Sequence, residues 1–196
     1  FGVTEPTTGT DTTSLKTTAT RDGDVYRING QKVWISRIQH SDLMVLLART
    51  SPKDQVAKKT DGLSAFIVDV KQAEGNGLEI RPIESIINHH SCELFFDDLE
   101  VARENLLGEE GKGFKVILDG MNAERILIAA ECVGDGRYFI DKARDYASER
   151  EVFGQPIGKN QGVQFPIARC YAEVEAAGLM VDKAARMFDA GEPCGA

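Results

Sequence analysis

The chain has 196 residues, 42% hydrophobic and 28% charged, values ordinary for a folded globular protein large enough to bury a real core. Its 23 basic and 31 acidic side chains leave a net charge of -8, and no dense Lys/Arg cluster interrupts that excess, which argues against a nucleic-acid groove. The longest apolar stretch, Leu43 to Ala48, is too short to cross a bilayer, and no segment reads as a signal peptide.

The chain opens on Phe1 inside what looks like a motif, which suggests an excised or truncated fragment. A Thr- and Gly-rich turn, Thr4-Glu5-Pro6-Thr7-Thr8-Gly9-Thr10-Asp11, comes first. Asp22-Gly23 and Asn29-Gly30 read as hairpin turns around the short run Val25 to Ile28. Further strands are expected at Gln31 to Ser36, Leu43 to Ala48, Leu63 to Val70, Leu78 to Pro82 and Glu93 to Leu99, with Ser51 to Asp61 a solvated loop. Such spacing predicts an antiparallel β-barrel or sandwich.

From Gly113 the period changes. Positions 114, 118, 121, 125, 128, 132, 136, 139, 143 and 146 recur in steps of three and four, the pattern of a long helix of roughly 50 Å with one buried stripe. A second stripe runs through Ile167, Tyr171, Val174, Gly178, Val181, Ala185 and Phe188, with Pro166 expected in the first turn and Gly191 and Pro193 ending the helix. The class is therefore α+β: a β-rich first half, a change of pattern near Gly108, then two long amphipathic helices that need further helices to complete a bundle.

Several residues depart from these patterns. Arg125 sits in the helical stripe, where a guanidinium needs an anionic or carbonyl partner unless it snorkels outward; Glu124 is its neighbour. On strand Lys32-Val33-Trp34-Ile35-Ser36, alternation puts Trp34 and Ser36 on one face, either a flat platform for an aromatic ligand or a half-buried strand Trp. The hydroxyls and amides of the opening turn could bind a ring carbonyl or a phosphate, or nothing. His40, His89 and His90 lack metal-site companions and read as polar residues at strand ends, so no metal is expected. The four cysteines form no CxxC pair, which suits a reducing compartment.

Four blocks, VTEPTTGTD from Val3, NGQKVWIS from Asn29, FFDDLEVARENLLGEEGKGF from Phe95 and EREVFGQPIGKNQ from Glu149, together resemble the acyl-CoA dehydrogenase family and occur in the family's order. The resemblance implies a flavin-binding middle β-domain over 1–106, then over 107–196 the first long antiparallel helices of a C-terminal domain, an incomplete four-helix bundle. It implies FAD, with Val3, Thr4, Gly9 and Thr10 holding the pyrimidine side of the flavin and Trp34 and Ser36 lining its ring. Thr10 stands where many members carry Ser. Arg150, Phe153 and Gln161 match positions that reach the adenosine diphosphate of a neighbouring subunit's FAD, which implies a homodimer or homotetramer.

The implied reaction removes an α-proton from an acyl-CoA thioester while a β-hydride passes to the flavin, electrons then leaving to an electron-transferring flavoprotein. Most members place the glutamate base late in the C-terminal domain; a minority place it directly before a family-typical Arg. Glu124-Arg125 in MNAERILIA matches the minority, so Glu124 is read as the base, with Asn122, Arg125 and Thr10 as substrate contacts. The rival is a base beyond residue 196. Ala102, where Pro is common, is a local departure. His89-His90-Ser91 falls where relatives carry small hydroxyl residues near the CoA chain. An acyl-CoA oxidase, another flavoenzyme on this scaffold, and a non-catalytic binding module are the alternatives. The 196-residue piece alone is expected to hold flavin weakly and to be inactive. A bacterial cytoplasm or a mitochondrial matrix is the expected location, without membrane insertion or nucleic acid.

Overall fold

Alternation of apolar side chains shapes the first strands of this computed structural model, which describes residues 1–86 and 90–194. In chain order they are β1 (Thr18–Asp22), β2 (Val25–Ser36), β3 (Leu43–Arg49), β4 (Leu63–Asp69), a one-turn helix α1 (Val70–Ala73), β5 (Leu78–Pro82), β6 (Ser91–Ala102) and β7 (Leu106–Leu107). They form one sheet in the order β5-β6-β2-β1-β3-β4-β7. Every pairing is antiparallel except β1 with β3, which meet in parallel at Thr18 and Arg49.

That single parallel contact lets the sheet fold on itself. Tyr26, Ile28, Ile35, Leu94 and Phe96 from one half share a core with Met44, Leu46, Phe66 and Val68 from the other, and the Tyr26 and Phe66 rings meet edge to face at 4.9 Å. The result is sandwich-like and open, with β5 and β7 as edges, rather than a closed barrel.

Asn29-Gly30 is not a hairpin turn. Both residues lie inside β2, opposite a bulge in β6 where Ile28 faces Leu99 but Gly30 faces Phe96. The Asn29 amide explains the difference. It donates to Asp98 Oδ1 and accepts from the Asp98 N–H, each at 2.9 Å, and so clamps the bulge. Gly30 has φ +147°, and a Cβ there would stand 2.7 Å from Thr17 Cα. The strand continues because the side chain of Asn29 and the missing one of Gly30 serve a close crossing.

The remaining elements are the helix α2 (Gly113–Glu149), the two-residue strands β8 (Glu151–Val152) and β9 (Gln155–Pro156), and the helix α3 (Gln161–Asp189). The chain divides into two compact units, Phe1–Leu118 and Asp119–Ala196. Within the second, α2 and α3 run antiparallel with close approach at their glycines: a Cβ on Gly136 would meet Val174 Cγ2 at 2.9 Å, and one on Gly178 would meet Arg137 Nη2 at 3.3 Å. Arg137 pairs with Glu175 at 2.7 Å; the Glu175 bond lifts the arginine's pKa and lowers that of the carboxyl.

The expected stripe of α2 is buried only in part: Phe114, Leu118, Met121 and Gly136 are half-buried, whereas Ile128, Phe139 and Tyr146 are exposed. Beyond Met121 the less exposed face runs instead through Ile126, Ala129, Val133, Gly136, Ile140 and Ala147. On α3 the expected stripe is largely the observed one, with Ile167, Val174, Gly178, Val181 and Ala185 half-buried and Tyr171 and Phe188 exposed. Pro166 lies past the first turn, inside α3, where it lacks the N–H a helix would use. The C-terminus ends as expected: Gly191 has φ +71°, its N–H reaches Phe188 O, and the Glu192 N–H reaches Met187 O, a Schellman closure. Among the described residues no helix is long and apolar enough to cross a membrane, and no group of metal-ligand residues forms a metal site.

Candidate functional site

The opening segment is stitched to two strands at once. Gly2 exchanges backbone bonds with β3, its N–H to Val45 O and its carbonyl from Leu47 N–H. Glu5 and Thr8 then bond each other's backbone in both directions at 3.0 Å, which closes the Glu5-Pro6-Thr7-Thr8 turn. On the β2 side, Val33 N–H donates to Thr4 O at 2.9 Å and Lys32 Nζ donates to Val3 O at 3.0 Å. The turn leaves Val3 and Thr4 half-exposed and Gly9 and Thr10 exposed. Just after it, Asp11 accepts from the Ser14 and Thr13 hydroxyls at 2.5 Å each, which lowers its pKa.

Beneath this turn lies a buried ion pair. Lys32 and Glu5 have side chains 0% and 4% exposed, with Nζ 2.9 Å from Oε1. The Glu5 carboxylate also accepts from the backbone N–H groups of Thr17, at 2.9 Å, and Lys16. Burial alone would raise the Glu5 pKa; the Lys32 charge and the bonds from Thr17 and Lys16 outweigh it and hold the carboxyl below its usual range. Burial draws the Lys32 ammonium down to about 8 against the opposing pull of Glu5. Neither residue stood out in the sequence as a site residue, yet a signal was there. Counting by twos from Tyr26 and Ile28 puts Lys32 on the inward face of β2.

Trp34 follows directly. β2 takes three steps from Lys32 to Ile35 while β6 takes two from Leu94 to Cys92. The extra residue is absorbed with Trp34 at φ 61°, a left-handed backbone that is uncommon for so bulky a side chain. Simple alternation is therefore broken: Lys32, Val33 and Ile35 are all buried, while Trp34 and Ser36 are exposed. Trp34 is 60% exposed, which is a shelf rather than a half-buried strand position. Ser36 Oγ lies 3.5 Å from Ser91 Oγ, and His40 and His90 meet edge to face close by in sequence, 5.2 Å between centroids. His89 lies outside the described residues. Strained backbone under an exposed aromatic is the kind of outlier from which a ligand role is inferred.

The structure thus brings Val3, Thr4, Trp34 and Ser36 onto one framework through β2, with Gly9 and Thr10 on the same turn. The other expected site residues belong to the second unit and are described within it. Glu124 is exposed. Arg125 is exposed too, not buried: its Nη1 donates to Asn122 Oδ1 at 3.0 Å, one helical turn back. Of the two readings open for Arg125, the outward one is observed within this unit, with the Asn122 amide oxygen as its partner.

Arg150 starts a tight hairpin, its carbonyl accepting from Ile157 N–H at 2.8 Å. β8 and β9 pair as Val152 with Gln155, and the two turn residues are Phe153 at φ 53° and Gly154 at φ 76°. Two positive φ values make a type I′ turn, which favours Asn-Gly; a fully exposed phenyl ring, at 101%, occupies the first position instead. Gln161, also exposed, begins α3.

Comparison with known proteins covers both units. The family model for the acyl-CoA dehydrogenase middle domain matches residues 1–99, and that for the acyl-CoA dehydrogenase C-terminal domain matches residues 111–196. The chain is 39% identical to a cyclohex-1-ene-1-carbonyl-CoA dehydrogenase of Syntrophus aciditrophicus, covering 100% of this chain and 46% of that protein. A solved acyl-CoA dehydrogenase from Geobacillus kaustophilus is 33% identical with a TM-score of 0.86, over 98% of this chain and 50% of the other. A structure described as the FAD complex of PigA is 27% identical with a TM-score of 0.86, over 98% and 49%. The chain spans about half the length of the curated relatives it matches.

Proposed function

The chain belongs to the acyl-CoA dehydrogenase family, and from that premise we propose that the whole protein carrying it catalyses FAD-dependent α,β-dehydrogenation of an acyl-CoA thioester. The observation that carries this reading is Trp34, exposed on a left-handed bulge and tied through Val33 and Lys32 to a turn rich in amides and hydroxyls. An aromatic shelf beside a row of polar donors fits a flat ring with polar edges, so the residues present suit FAD. A related structure described as an FAD complex supports the same cofactor.

In this reading Val3, Thr4, Gly9 and Thr10 bind the polar edge of the ring, and Trp34 with Ser36 flanks it. When bound, FAD would supply the hydride acceptor. Glu124 takes the α-proton through its carboxylate, and Asn122, Arg125 and Thr10 orient the thioester. A carboxylate is suited to this proton transfer when ordered and shielded. Arg150, Phe153 and Gln161 contact the diphosphate end of a second subunit's cofactor; a guanidinium offers the fixed donors that a diphosphate takes, so the protein works as a dimer or tetramer. Residues 1–106 serve as the flavin domain, and 107–196 begin a helical domain whose exposed stripes are covered by further helices. Electrons leave to an electron-transferring flavoprotein. Four cysteines without a CxxC pair fit a bacterial cytoplasm or a mitochondrial matrix.

The test uses the full-length protein. It should purify yellow, and acyl-CoA added without oxygen should bleach the flavin band. A colourless protein that takes up no FAD sinks the reading in favour of a binding module, and oxygen uptake on adding acyl-CoA reassigns it to an oxidase. Glu124→Gln should lower turnover by at least about a hundredfold; turnover near wild type moves the base elsewhere. The 196-residue chain alone should retain little flavin.

A further inference from the structure

Burying two opposite charges is a poor way to gain stability, because desolvation costs several kcal/mol per ion and well-packed apolar residues often do as well. The Glu5–Lys32 pair therefore calls for a role that an apolar pair could not fill. Its partners indicate one. The ammonium holds the Val3 carbonyl and the Glu5 carboxylate, and that carboxylate holds the Thr17 and Lys16 N–H groups. Thr17 in turn packs its backbone over Gly30 of β2. One closed circuit thus joins the opening turn, the approach to β1, and the strand that bulges at Trp34.

The direction of one bond matters most. A trans peptide sets its C=O and N–H in opposite directions. With the Val3 carbonyl drawn down to the buried ammonium, the Thr4 N–H is aimed away from the core. The Thr4 carbonyl is engaged as well, by Val33 N–H, next to Trp34 itself. A Met or Leu at position 32 could fill the space, but it could not orient that peptide.

From this we infer that Lys32 and Glu5 are positioning residues for the flavin site, aiming the Val3–Thr4 peptide and fixing its distance from the Trp34 shelf. The inference rests on the flavin reading proposed above and deepens it. Neither residue contacts the ring; both act through the turn and the bulge.

The experiment measures FAD dissociation constants and apoprotein unfolding side by side in the full-length protein. The variants are Lys32→Met, Glu5→Gln and the two combined. Each single change alters the charge of a buried pair and should destabilise the apoprotein. The combined variant leaves no unpaired charge and should recover much of that stability. Positioning predicts that FAD binding does not recover with it, staying at least about tenfold weaker than wild type, the worth of a charged hydrogen bond. A combined variant that binds FAD like wild type overturns the inference. If the combined variant does not fold, the test passes to Glu5→Gln, which keeps the volume and acceptor oxygen: wild-type FAD affinity there overturns it equally. Failure of the wild type to bind FAD would instead sink the flavin reading, so the two failures stay distinct.

Discussion

The sheet unit and the helical unit solve the same problem of burying apolar surface in different ways. In the first, eighteen buried side chains form one cluster drawn from both halves of a folded-over sheet. In the second, α3 has no buried residue at all, and Leu127, Phe139, Tyr146, Phe165, Leu179 and Met180 stand exposed. The lesson is that a flawless helical period does not make a core. Period tells which side chains share a face; only a partner buries them.

The largest expected effect sharpens that contrast. Phe66→Ala removes a ring of 0% exposure from the cluster and should cost this chain about 3–5 kcal/mol in denaturant unfolding. Phe139→Ala, at a position 67% exposed, should change it by less than about 0.5 kcal/mol. Equal losses would mean that the helical face is packed after all. Next comes Gly30→Ala, which combines positive φ with a clash on Thr17 and should cost about 2 kcal/mol or more in the same melts.

A pH series tests the buried Glu5–Lys32 pair of the sheet unit. Glu5 titrates below its usual 4.5 in the folded chain, so its contribution is complete above that value and is lost as pH falls through the folded pKa. Denaturation midpoints taken from pH 7 down to pH 3 should therefore fall less steeply in Glu5→Gln than in wild type. On the alkaline side Lys32 releases its proton near 8 when folded, against 10.5 ordinarily. Its contribution thus improves between those values, where the unfolded chain holds more protons. The smallest effect is a gain. Gly134→Ala, on α2 with open space around the new methyl, should stabilise by about 0.5–1 kcal/mol, read as a raised unfolding midpoint.

Much of the fold was legible in the sequence. The strand at Leu78–Pro82, the change of period at Gly113 and the helix stop at Gly191 all came from local rules, and the structure keeps all three. What escaped was non-local. Asn29-Gly30 carries turn chemistry, but here it serves a crossing with Thr17 and a clamp on Asp98. Beyond Met121 the α2 seam leaves the expected stripe, except at Gly136, because Ile128, Phe139 and Tyr146 mark a face with no partner among the described residues. At the candidate site, the outward face shared by Trp34 and Ser36 could be read from alternation, although a bulge produces it. The Glu5–Lys32 pair could not be read as a pair, since nothing local joins residues 27 positions apart.

Trp34 is the single tryptophan of the chain, and that has a practical consequence. All indole emission from this chain therefore originates at the bulge, so its colour and lifetime report on that patch of surface alone. Whatever settles on that spot, or whatever tilts it, announces itself in a fluorimeter without a label.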